Sequence, residues 1–390
     1  MFKLIKNVDI YEPKPEGRKD ILICNDKIIK VAASIESPAG FEVETIDGSG
    51  FIAAPGFIDQ HVHFIGGGGE GGPATRTPEI KISDLTTAGI TTALGLLGTD
   101  GITRNSKSLL AKAMALEEEG ITTFIYTGNY TIPFETLTGS IQSDLVLIDK
   151  IIGVGEVAMA DHRSSQPSLE DFKKLYANTR VGGILSGKVG IVHLHLGDGP
   201  SGIRPLMEIA QTTEIPIKQF MPTHINRIDH LVTQSIEYLK MGGYVDLTSS
   251  FYKTADSPRT LSIADALKIY LDNGCPIEQV CASSDANGSI PVFDDKGELA
   301  SIGVGTAAAL FKDIRSAILD GIVTLEQGLS IITQNPAKAL KLHPRKGSIR
   351  EKSDADIVLL DNELNIHTVI AKGQIMVKNY EAVIKGYFEK

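Results

Sequence analysis

Apolar, β-branched runs alternate with helix-forming segments through the middle of the chain, the pattern expected of a parallel sheet covered by helices. The runs are FIAAPGFIDQHVHF, TTALGLLGT, TTFIYTGNY, IIGVGEVAM, VGIVHLHL, IPIKQFMPTH, GYVDLTSSF and QVCASSDANG, eight in all. Between them lie strong helix formers such as SKSLLAKAMALEEE and AALFKDIRSAILD. Eight repeats predict an α/β fold closed into a (β/α)8 TIM barrel, although a doubly wound sheet uses the same alternation. The two ends of the chain read differently. FKLIKNVDI and DILICNDKIIKVAA near the start, and DADIVLLD, IHTVIAKGQIMVK and EAVIKGYFE near the end, are short β-type runs broken by Pro, Gly and Asn. The expectation is a smaller β-sandwich domain built from residues 1–54 and 346–390, flanking a barrel of residues 55–345.

With 390 residues, 42% of them hydrophobic, the chain can bury a large core. A formal net charge of -10 argues against a phosphate backbone or an anionic membrane as the main partner, so no nucleic acid and no membrane is expected. Cys24, Cys275 and Cys281 show no metal-type spacing and suit a reducing compartment. The opening MFKLIKNVDIYEPKPEG meets acidic and proline residues before any signal-like apolar run, and no later run reaches membrane-span length. These features predict a cytoplasmic protein acting on small molecules.

Candidate chemistry gathers at the C-terminal ends of the predicted strands, where barrel enzymes place their active sites. His61 and His63 close the first run, Glu156 lies in the fourth, His195 and His224 end the fifth and sixth, and Asp285 ends the eighth. In His61-Val62-His63, strand alternation points both imidazoles to one side, so they can grip one metal while Val62 faces the helices. An HxH pair alone is weak evidence, and four more groups of ligand type strengthen it. His195 and His224 can hold a second metal, Glu156 can bridge the two ions through its two oxygens, and Asp285 can bind one of them. His193 lies one layer deeper on the face of His195 and reads as a hydrogen-bonded core histidine. In Asp161-His162-Arg163, after the fourth strand, His162 is the remaining histidine best placed to orient ligands.

The pattern PGFIDQHVH, the strand-end histidines, the final-strand Asp285 and the split β domain resemble the amidohydrolase superfamily over nearly the whole chain. Within it, HFIGGGGEGGPATRTPE (residues 63 to 79), LLGTDGITR, YTGNY, DHRSS and DADIVLLD look like the isoaspartyl dipeptidases. The resemblance implies two zinc ions per chain, His61 and His63 on one, His195 and His224 on the other, with Asp285 as ligand and proton shuttle. It further implies that Glu70 takes the substrate ammonium, that Tyr130 polarises the scissile carbonyl, and that Arg163 and Arg227 hold substrate carboxylate. Ser289 and groups near Gly68 and Thr99 would complete the pocket. A hydroxide shared by the metals would cleave the isopeptide bond of β-aspartyl dipeptides, and a homo-oligomer is expected. One departure stands out: the resemblance to a well-known family member implies a bridging lysine that carries a carbamate, whereas this chain has Glu156. Glutamate is several atoms shorter, so its strand must approach the metals more closely, and Gly153-Val154-Gly155 allows such an approach.

An isoaspartyl dipeptide offers a free ammonium and two carboxylates beside the scissile amide, which matches one anion, Glu70, and the cations Arg163 and Arg227. Glycines 66 to 69 allow backbone N–H groups to approach a ligand and the loop to close over it. Two alternatives are open. A cyclic amidohydrolase of the dihydroorotase or hydantoinase kind shares the barrel and the metals, but its ring substrate has no ammonium for Glu70. A non-catalytic scaffold has no chemical reason to hold all the ligand-type groups together.

Overall fold

The computed structural model describes residues 1–253, 257–293 and 299–389. Eight strands form the barrel: Phe57–Val62, Ile90–Gly95, Thr122–Thr127, Ile151–Met159, Ile191–Leu196, Phe220–Thr223, Val245–Thr248 and Val280–Ser283. Each comes from one of the runs singled out in the sequence. The first six make one parallel sheet, and the seventh and eighth pair in parallel. The sixth lies beside the seventh, and a parallel bridge between Val62 and Ala286 ties the end of the eighth run to the first strand. Closure removes both sheet edges.

Helices cover the outside of this ring and begin where the sequence supplies caps. Asn105 accepts a hydrogen bond from the Ser108 amide at the start of Ser106–Glu118, and Ser168, Ser262 and Thr324 form capping boxes on the helices that follow them. Gly187, in the left-handed region, ends Leu169–Ser186. Large apolar side chains from strands and helices merge into one continuous core. Among the described residues, no helix is long and apolar enough to cross a membrane.

The first run, expected as a single strand, is two. Ile52–Pro55 pairs antiparallel with Ile357–Leu360, and only Phe57–Val62 enters the barrel. The break falls at Gly56, where a Cβ would lie 2.1 Å from Thr91 Oγ1 and 2.9 Å from Asp356 Cβ. Two sheets converge on this residue, and nothing larger than glycine fits between them.

The terminal strands make a nine-stranded sheet in which Ile52–Pro55 and Ile357–Leu360 join the N-terminal half to the C-terminal half. The sheet folds over on itself. Ile28 and Ile370, from opposite halves, share one apolar cluster, and the Asn25-Asp26 turn meets the chain at Ala355 and Gly373. Lys346 links this domain to the barrel. Its buried Nζ lies 2.5 Å from Asp356 Oδ2, 2.8 Å from Asp354 Oδ2 and 2.6 Å from Thr122 Oγ1 on the third barrel strand. Removing one partner of such a cluster leaves the others buried without compensation. Lys346→Met is therefore expected to destabilise the protein by about 3–5 kcal/mol, read as an earlier urea midpoint by circular dichroism; an unchanged midpoint would show that water replaces the ammonium.

Candidate active site

The polar groups noted in the sequence converge at the C-terminal mouth of the barrel. Val62 points into the core shared with the helices, so His61 and His63 point to the other side of their strand. His224 and Asp285 stand just beyond the sixth and eighth strands with φ of 60° and 53°. Left-handed backbone costs a non-glycine residue about 1–2 kcal/mol, and here it turns both side chains inward. Glu156, His61, His63, His195, His224 and Asp285 are all buried.

Glu156 lies between two groups of imidazoles. Its Oε1 is 2.5 Å from His195 Nδ1 and 3.1 Å from His224 Nε2, while its Oε2 is 3.3 Å from His61 Nε2 and 3.9 Å from His63 Nε2. Asp285 Oδ1 lies 3.1 Å from His63 Nε2 and 3.4 Å from His61 Nε2. His61, His63 and Asp285 form one group of ligand atoms within 4.8 Å of one another, and His61, Glu156 and His224 form a second.

This donor set fits divalent metal on two counts. Among the described residues, His61 Nε2, Glu156 Oε2 and Asp285 Oδ1 are buried without a hydrogen-bond partner, a costly state unless a cation satisfies them. Charge points the same way. Burial pushes both carboxyls up, but the charge of His61 and of the other surrounding imidazoles outweighs it and holds Glu156 and Asp285 well below the usual carboxylate range. For His61, burial favours the neutral ring, yet Glu156 and Asp285 overcome it and raise its proton affinity well above normal. The cluster draws positive charge, which a metal supplies in exchange for the proton.

The short bridging candidate reaches this position through a bulge. Val192 pairs with Val154 and Leu194 with Val157, so the fourth strand carries one extra residue at Gly155-Glu156. The flanking glycines let it press on the fifth strand: a Cβ on Gly153 would lie 2.3 Å from the Ile191 carbonyl oxygen, and one on Gly155 would lie 2.8 Å from His193 Cβ.

The second nitrogens are held from below and beside. His61 Nδ1 is 2.9 Å from His193 Nε2, and His224 Nδ1 is 2.7 Å from Thr248 Oγ1. His193 thus sits one layer under the cluster. Thr248 escaped the sequence reading; its place at the end of the seventh strand was the available signal. Burial, followed by the positive charge of His61, drives the His193 proton affinity well down, so its ring is neutral.

Above the cluster lies a pocket lined by Glu70, Tyr130, Arg163, Arg227, Ser289, Thr99 and Gly68, together with His63 and Asp285. Its free volume is about 10 Å³, the space of about one water. It is small because its charges satisfy one another. Glu70 accepts from Ser289 Oγ at 2.9 Å and Thr99 Oγ1 at 3.1 Å, and Arg163 Nη1 lies 3.3 Å away. Arg227 lies over the Phe251 ring at 5.4 Å, and its buried Nε has no hydrogen-bond partner among the described residues. The Tyr130 hydroxyl is 2.7 Å from His195 Nδ1; burial, reinforced by the charge of Glu156, raises its pKa well above the tyrosine norm and keeps it a donor. His162 is exposed, and its neighbour Asp161 is the one turned inward. Gly66 and Gly68, both at φ 76°, fold the glycine-rich loop onto Thr75 and Thr77, whose carbonyl oxygens a Cβ would meet at 2.4 and 2.3 Å.

The β-aspartyl dipeptidase of Fervidobacterium islandicum AW-1, solved in complex with β-Asp-Leu dipeptide, superposes with a TM-score of 0.92 at 46% identity, covering 98% of this chain and 97% of that one. The chain belongs to the β-aspartyl dipeptidase family of amidohydrolases. Residues 263–376 also match the amidohydrolase family model. More distant amidohydrolases share less. The dihydroorotase of Streptococcus pyogenes serotype M3 is 28% identical over 245 residues, 58% of this chain and 54% of its own, so the chain spans about half the length of that curated relative. Dihydropyrimidinase from Brevibacillus agri, 17% identical with a TM-score of 0.66 over 99% of this chain and 97% of its own, shares the fold.

Ligand binding to the folded state alone stabilises a protein, by about 2.7 kcal/mol at a hundredfold excess over Kd. A divalent cation added to metal-free protein is thus expected to raise Tm in a thermal scan. In Gly155→Ala, whose new Cβ displaces the bulge, the rise should shrink; an equal rise in both proteins would disconnect the bulge from the metal site.

Proposed function

We propose that this chain hydrolyses the isopeptide bond of β-aspartyl dipeptides, with two zinc ions held between its histidines and bridged by Glu156. The observation that carries this reading is the charge pattern of the pocket: one buried carboxylate, Glu70, and two guanidinium groups, Arg163 and Arg227, beside the ligand cluster. The β-Asp-Leu complex of the Fervidobacterium relative supports it. His61 and His63 would hold one ion and His195 and His224 the other. Bound there, the metals would lower the pKa of a shared water towards about 7 and polarise the amide.

The protein's own groups do the rest. Asp285, kept ionised by its imidazole neighbours, takes the proton of the attacking water and passes it to the leaving amine. Tyr130, kept protonated, donates to the carbonyl oxygen as negative charge develops there. Glu70 exchanges Arg163 for the substrate ammonium, which frees Arg163 to join Arg227 on carboxylate. Ser289, Thr99 and the backbone at Gly68 fix the aspartyl end. The same reading includes a cytoplasmic, self-associating protein divided into 1–54 with 346–390 and 55–345.

The dihydroorotase relatives favour a second reading, action on a cyclic amide. A panel separates the two. Reconstituted protein is expected to cleave β-Asp-Leu and leave α-Asp-Leu and dihydroorotate intact, with about two metals per chain by elemental analysis. Preference for the ring would overturn the assignment of Glu70, and one metal per chain would remove the bridge. Tyr130→Phe should lower kcat by about two to three orders of magnitude, the usual loss for an oxyanion donor, with little change in KM. Glu70→Gln should cripple β-Asp-Leu turnover and spare an N-acetylated analogue; equal losses would remove Glu70 from ammonium binding.

A further inference from the structure

His195 differs from the other imidazoles of the cluster in what holds its second nitrogen. His61 leans on a neutral imidazole and His224 on a hydroxyl, but His195 Nε2 lies 2.9 Å from a carboxylate oxygen, Asp161 Oδ2. That oxygen also accepts from Arg163 Nη2 at 2.7 Å, and Asp161 Oδ1 accepts from Arg163 Nε at 3.0 Å and from the Arg163 amide at 2.7 Å. The Asp161 side chain is 4% exposed, so its charge is spent on these donors. Arg163 then stands 5.4 Å over the Tyr130 ring and points Nη1 at Glu70.

The fold places Asp161 deliberately. Ala160 takes φ 54° to turn it inward, and Gly197 and Gly199, just past the fifth strand, donate their amides to the carbonyl oxygens of Met159 and Ala160. A Cβ on Gly197 would lie 2.4 Å from the Ala160 carbonyl oxygen and 2.6 Å from Asp161 Cβ, and one on Gly199 would lie 2.7 Å from the same carbonyl. The loop that follows His195 is glycine-rich because Asp161 must return against it.

We infer that Asp161 is a positioning residue that holds the metal-facing tautomer of His195 and the plane of the Arg163 guanidinium at once, coupling metal binding to carboxylate binding. Imidazole ligates only through an unprotonated nitrogen. With a metal in place of the proton that Nδ1 shares with Glu156, a carboxylate at Nε2 would keep the remaining ring proton there and leave the Nδ1 lone pair for the ion. The same carboxylate fixes Arg163 in the orientation that suits a bidentate anion. The inference rests on the reading of His195 as a ligand and Arg163 as a substrate contact.

Two measurements test it. Metal-free protein is titrated with Co2+ against a chelator, following the visible absorption of the bound ion, and KM and kcat for β-Asp-Leu are measured at saturating metal. In Asp161→Asn, which keeps the shape and loses the charge, one of the two metals is expected to bind about 10–100-fold more weakly, the usual effect of removing a ligand's orienting partner. KM should rise at least as steeply as kcat falls. Gly197→Ala, which displaces Asp161 and alters no donor, should shift both readouts the same way, and Asp161→Glu should restore part of the affinity. Unchanged metal affinity or unchanged KM in Asp161→Asn would overturn the coupling, as would equal weakening of both metals with early unfolding of the metal-free protein. If the parent protein binds metal and leaves β-Asp-Leu intact, the substrate reading fails by itself, and the titration still decides whether Asp161 holds His195.

Discussion

A carboxylate buried without compensating charge is among the most expensive groups a fold can contain. Glu156 would be such a group without His195 and His224 on one side and His61 and His63 on the other. The surrounding architecture follows from keeping it ionised in place. Three strand ends must bring four imidazoles to it, the fourth strand must bulge to present it, and Gly153 and Gly155 must leave room for the fifth strand. A longer side chain at this position would ask less of the backbone. The short one transfers the demand to main-chain geometry, where only glycine meets it.

The same principle, charge satisfied by charge, governs the pocket above. Glu70 and Arg163 face each other in a space of about 10 Å³, so the resting site is neutral at that point and nearly closed. In the proposed reading, a substrate with an ammonium and carboxylates exchanges this pair for two equivalent ones, whereas a ring without an ammonium gives Glu70 no partner in place of Arg163. Selectivity therefore comes as much from what an unsuitable substrate fails to satisfy as from what a suitable one gains. Asp161 extends the network downward, since one carboxylate serves both the guanidinium and a cluster histidine.

Behind the chemistry, the terminal domain acts as a brace. Lys346 joins Thr122 of the barrel to Asp354 and Asp356 at the base of the terminal sheet, and Gly56 marks the point where the two sheets meet too closely for a side chain. The first barrel strand leaves that junction and ends six residues later at the HxH pair. The register of the metal site is thus anchored directly in the domain contact.

By itself the sequence determined the barrel, through eight apolar runs whose period and spacing admit few other folds, and the gathering of His61, His63, Glu156, His195, His224 and Asp285 at its mouth, because a histidine or carboxylate at a strand end has one direction to point. It also marked a charge pattern, Glu70 in its glycine frame against the Arg163/Arg227 pair, which the structure gathers in one pocket. Only the tertiary structure decided that FIAAPGFIDQHVHF is divided at Gly56, because that break depends on Thr91 and Asp356, distant in sequence and adjacent in space. It alone decided that Asp161 rather than His162 faces the cluster, since the left-handed turn at Ala160 is held by glycines almost 40 residues away. The partners of second nitrogens, His193 under His61 and Thr248 beside His224, were likewise settled by strand register around a closed ring. Local pattern encodes which groups point inward; which of them touch is set by closure, a property that no single segment contains.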